Sequence, residues 1–142
     1  MPGSVRSKLP TVFAYVLVAC IATWPAVVEL GSAVPGTPRT DLWDSLWSIW
    51  FVEQALFMGR LPFETLLLNH PDGGNLVVAD PLGCLLAAPL VPLVGLPAAY
   101  SVLVLSQVVF SGVVAHFFAE DLARERGLGG RGAGWVAGVG YS

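Results

Sequence analysis

The stretch DLWDSLWSIW, Asp41 to Trp50, decides how the rest of the chain is read. At about 100° per residue on a helical wheel, Asp41, Asp44, Ser45 and Ser48 share one side, and Trp43, Trp47 and Trp50 the other. The preceding Gly31–Thr40 segment carries Pro35, Gly36 and Pro38 and reads as a loop. Thr40 or Asp41 suits an N-cap, and acidic residues suit a first helical turn. Gly59 and Pro62 stop the pattern. The spacing predicts an amphipathic helix over 41–58, with an aromatic keel and a small acidic face. Tryptophan favours the membrane–water boundary, where the ring meets headgroups and its N–H stays wet. The helix is therefore expected to lie on a membrane with its carboxylates turned towards a cavity. The competing expectation is a buried packing helix rich in tryptophan.

Composition points to a bilayer. Hydrophobic residues make up 55% of the 142, charged residues only 12%, and mean hydropathy is +0.71. Soluble domains carry about a quarter charged residues. The formal charge of −3 and the lack of a basic stripe exclude a nucleic-acid partner. Cys20 and Cys84 lie in apolar runs without C-x-x-C spacing, so they read as small apolar residues.

The expected fold is an all-α membrane protein whose external loop holds the amphipathic juxtamembrane helix. Residues 11–30 form the first span, since about 20 apolar residues cross a bilayer. Arg6 and Lys8 before it place the N-terminus in the cytoplasm. The apolar run continues past Cys20 to Leu30, which argues against a lipoprotein signal. Residues 31–80 are external, with Arg39 and Arg60 set against six acidic residues. Within them Pro71 and Asp72-Gly73-Gly74-Asn75 are turn chemistry, and Leu76–Ala79 a short extended piece. Residues 81–97 contain four prolines and read as a juxtamembrane or re-entrant segment. Residues 98–123 form the second span; the arginines after it, Arg124, Arg126 and Arg131, are then cytoplasmic. Inside that span His116 lines a cavity or sits among headgroups. Residues 133–142 begin another apolar helix, too short to cross. The reading therefore expects residues 1–142 to be the N-terminal part of a longer multi-span protein.

The order of motifs resembles the N-terminal part of GT-C-type integral-membrane glycosyltransferases. The residues that carry the resemblance are Asp41, Trp47 and Trp50; Gly59, Pro62, Phe63 and Thr65; then Pro71, Gly73 and Leu76. Ala98–Leu105 looks like the start of the family's next span. The resemblance implies a GT-C-like fold in a bacterial inner (plasma) membrane. It implies transfer of a sugar from a polyprenyl-phosphate donor to an acceptor on the external face. By position Asp41 matches the family's essential acid, as general base or as ligand of a divalent metal, with Asp44 in a secondary role. Arg39 and Arg60 would contact the lipid phosphate. The sequence lacks the D-E or H-P-P pair of the mannosyltransferases, which leaves the metal, the sugar and the acceptor open. The partners implied are the lipid bilayer, the carrier-linked sugar and the acceptor. The alternatives are a non-enzymatic multi-span protein or subunit, or a transporter-like bundle, although transporters carry broken or ionisable mid-membrane features in several spans.

Overall fold

The computed structural model describes residues 8–37, 39, 41–75, 78, 80–127 and 130–142. Helices dominate: α1 (Leu9–Ala22), α2 (Leu42–Phe57), α3 (Pro81–Ala87), α4 (Val91–Val94), α5 (Leu96–Glu125) and α6 (Gly130–Tyr141). One small ladder is the exception, in which β1 (Glu64–Thr65) pairs antiparallel with β2 (Gly74–Asn75). The expected extended piece at Leu76–Ala79 lies, Val78 apart, outside the described residues. The chain divides into two compact units, residues 1–28 with 104–142, and residues 29–103.

In the first unit the helix is shorter than the expected 11–30 span. α1 contains 14 residues, about 21 Å at 1.5 Å each, against a hydrocarbon core of about 30 Å. It stops before Pro25, which has no N–H to continue the ladder and disfavours helical geometry in the residue before it. The Thr23 hydroxyl donates to the Ala19 carbonyl at 2.8 Å and closes the last turn. A single 3₁₀ turn follows at Ala26–Val28. Among the described residues, one helix is long and apolar enough to cross a membrane: α5, with 30 residues and a mean hydropathy of 2.0 over its best window. It begins two residues before the expected 98 and ends two after 123.

The second unit packs α2 against α3 and the 3₁₀ turn Ala88–Leu90. Its core joins Ile49 and Val52 of α2 to Val78, Cys84, Ala87, Ala88 and Leu103. The expected 81–97 segment is three short helical pieces in succession, not one straight helix. Pro81 opens α3 at a position where its missing N–H costs nothing. Pro89 falls in the 3₁₀ turn and Pro92 in the first turn of α4, and Gly95, at φ +84°, ends the run. The Asp80 carboxylate caps α3 by accepting from the Gly83 N–H at 2.9 Å. Asp80→Ala removes that cap and is expected to destabilise this unit by about 1 kcal/mol, whereas Asp80→Asn changes stability little. Urea titration of the three proteins checks this ranking.

Candidate functional site

α2 spans Leu42–Phe57, with Asp41 as its N-cap residue. Its buried side chains are Leu42, Ser48, Ile49, Phe51, Val52 and Ala55. On a wheel these centre on the side that carries Asp41 and Asp44 in the first turn. Trp43 and Trp50 face away from that core, 62% and 36% exposed, whereas Trp47 is half-buried and stacks on the buried Phe51 at 5.3 Å. Aliphatic residues, Phe51 and Ser48 do most of the packing, and no tryptophan of α2 is among its buried residues. The packing also moves Ser48 from the polar face to the packed one, at 3% exposure.

Asp41 and Asp44 are both exposed at the start of α2. The Asp41 side chain makes no capping hydrogen bond, so the helix start does not occupy its carboxylate. Burial pushes the Cys84 thiol up to about 11, and the Asp80 and Asp44 carboxylates add to that rise by opposing a thiolate. The packing of α2 on α3 puts both carboxylates within electrostatic range of the thiol, which the sequence reading did not anticipate. Arg39 is exposed in the loop before α2. Arg60 is exposed two residues beyond its C-cap, Met58, and its N–H donates to the Ala55 carbonyl at 2.8 Å.

Arg60 lines an open cleft of about 930 Å³ between segments 60–66 and 72–75. Glu64, Asp72 and Asn75 supply its other polar groups, and Leu61, Phe63 and Leu66 its apolar wall. Asp41, Asp44 and Arg39 do not line it. The β1–β2 pairing holds the two walls together, and the Thr65 hydroxyl oxygen accepts from the Leu67 N–H at 3.1 Å. Gly73, at φ +72°, takes a backbone conformation that side chains disfavour. A Cβ there would lie 2.9 Å from a Leu66 methyl and 3.0 Å from the Thr65 carbonyl oxygen. In the sequence this cleft is visible only as turn residues, because its walls meet through pairing across the turn.

The first unit holds a separate polar group. His116 is 4% exposed and Tyr15 is fully buried, and the Tyr15 hydroxyl lies 3.1 Å from His116 Nδ1. Trp135 of α6 stacks on Tyr15 at 5.5 Å and meets His116 edge-on at 4.9 Å. On the other side of the ring, Glu120 approaches His116 Nε2 at 4.0 Å and pairs with Arg124. His116 is thus the buried polar centre of a helix contact. The aromatic partners from α1 and α6 were not legible locally, because they lie about 100 residues upstream in one case and on the next helix in the other.

Among the described residues, no three His, Cys, Asp or Glu side chains gather into a group able to hold a metal ion. The divalent-metal alternative for Asp41 thus has no three-ligand protein set around it there. No family model matches the chain. Comparison with curated proteins and with solved structures finds no match either.

Proposed function

We propose that residues 1–142 belong to an integral-membrane glycosyltransferase of GT-C type. It moves a sugar from a polyprenyl-phosphate donor to an acceptor on the external face of a bacterial inner membrane, and Asp41 is the general base. The motif resemblance suggests the reaction. The observation that carries the assignment is the Asp41 carboxylate, exposed at a helix start and making no capping bond. Displacing a polyprenyl phosphate from an anomeric carbon requires the acceptor hydroxyl to lose its proton, and a carboxylate within hydrogen-bond reach takes it. α2 fixes where that carboxylate starts, and its outward tryptophans suit an interfacial seat. Asp44, one turn on, orients. Arg39, exposed in the loop before α2, is a cation available to a lipid phosphate. The length and apolar character of α5 support the membrane setting. The deciding experiment is sugar transfer from a polyprenyl-phosphate donor by the complete protein carrying Asp41→Asn.

Topology follows from the same reading. In a background lacking Cys20 and Cys84, Ser32→Cys and Leu67→Cys are expected to react with a membrane-impermeant maleimide on intact cells. Arg126→Cys is expected to react only after permeabilisation. All three positions are exposed, whereas nearby Thr65 is 7% exposed and would report burial instead of sidedness. Labelling of Arg126→Cys from outside would mean that the 81–97 segment crosses the membrane.

A further inference from the structure

We propose that the cleft beside β1 and β2 binds the uncharged sugar head of a glycolipid, with the lipid chain lying along Leu61, Phe63 and Leu66. Charge is the first argument. Arg60 faces two carboxylates, Glu64 and Asp72, so the cleft is formally negative by one. A phosphate head would meet that excess unfavourably. A polyol fits it, because each hydroxyl both donates and accepts. The carboxylates accept, the guanidinium donates, and the Asn75 amide does both. The second argument is the apolar wall. Leu61 is 74%, Phe63 61% and Leu66 67% exposed. Phe57, Met58 and Leu67 beside them are 87%, 62% and 63% exposed. Contiguous exposed apolar surface rimmed by polar groups marks a binding or membrane-facing site. One amphiphile satisfies both walls: sugar hydroxyls on the polar side, the chain on the apolar side. The third argument is size and construction. The volume of about 930 Å³ falls in the range of small-molecule sites, about 300–1,000 Å³. The walls are fixed by strand pairing and by the close approach of Gly73 to Thr65.

In the context of the proposed transferase this ligand is the acceptor, an assignment that rests on that reading; the binding itself does not. It also divides the two cations. Arg60 belongs to the sugar cleft, and Arg39, outside it, is left for the carrier phosphate.

The test uses the complete protein in lipid nanodiscs with two photoreactive probes. These are a dodecyl maltoside and a dodecyl phosphate, each carrying a diazirine at the chain end. The glycoside is expected to crosslink within Leu61–Leu66 and to be displaced by plain dodecyl maltoside. The double variant Glu64→Ala with Asp72→Ala is expected to reduce this labelling roughly tenfold, through the hydrogen bonds lost. Both side chains are exposed, so the fold should survive, and an unchanged far-UV circular dichroism spectrum verifies it. Equal or stronger labelling by dodecyl phosphate overturns the proposal in favour of an anionic head. Unchanged glycoside labelling in the double variant overturns it in favour of apolar adhesion alone, and absence of labelling overturns it outright. Crosslinking is read without turnover. It can therefore fail while Asp41→Asn still abolishes transfer, or succeed while Asp41→Asn does not.

Discussion

Asp41→Asn is expected to lower sugar transfer by the complete protein about a hundred- to ten-thousand-fold, the usual cost of losing a general base. The substitution separates two roles that a carboxylate at a helix start can play. Asn caps a helix about as well as Asp, so a purely structural Asp41 would leave both stability and turnover unchanged. The Asp41 side chain makes no capping hydrogen bond in any case. Removing its charge should therefore leave α2 intact while removing the proton acceptor. Asp44→Asn is expected to have a much smaller effect on rate, since Asp44 lies one turn further on, within the first turn of α2. Turnover at equal expression, measured from a polyprenyl-phosphate donor, gives the ranking. Wild-type turnover in Asp41→Asn would sink the enzymatic reading of this loop.

Gly138→Leu is expected to undock α6 from α1 and α5 and to destabilise the first unit by about 3 kcal/mol, at the upper end of overpacking costs. At Gly138 even a methyl group would overlap the Tyr15 hydroxyl and come within 2.8 Å of the Gly112 carbonyl oxygen. Tyr15 cannot easily yield, because it is fully buried, bonded to His116 and stacked on Trp135. One turn earlier on the same helix, a Cβ at Gly134 would lie 3.0 Å from the His116 carbonyl oxygen. Small residues four apart let helix backbones approach closely, which is how apolar helices associate where lipid is the solvent. Gly140→Leu is the internal control: a Cβ there meets nothing within 4 Å, and its thermal midpoint should match wild type. Tyr15→Phe combined with Gly138→Ala should recover part of the loss, since it removes the overlapping hydroxyl. Thermal denaturation followed by tryptophan fluorescence compares the four proteins. A wild-type midpoint for Gly138→Leu would mean that α6 does not dock as described.

Local chemistry in the sequence determined a good deal. Proline, glycine and the 3.6-residue period placed α2 within a residue at each end and set its tryptophans opposite its carboxylates. Length and hydropathy picked out α5. The shorter extent of α1 also has a local cause. The apolar run past Pro25 outweighed the proline in the sequence reading, but apolar character cannot replace a missing backbone donor. What only the tertiary structure decided were the meetings between distant segments. The turn residues 72–75 became one wall of a cleft when Gly73 approached Thr65 closely enough to exclude a side chain. His116, ambiguous as a polar residue in an apolar helix, became a buried partner once Tyr15 and Trp135 arrived from other helices. Gly134 and Gly138 lie four apart in the sequence. Such spacing states which helix face allows close approach, and only the packed structure supplied His116 against Gly134 and Tyr15 against Gly138. Periodicity and turn chemistry act over a few residues, whereas burial and cross-strand pairing depend on what the rest of the chain brings near.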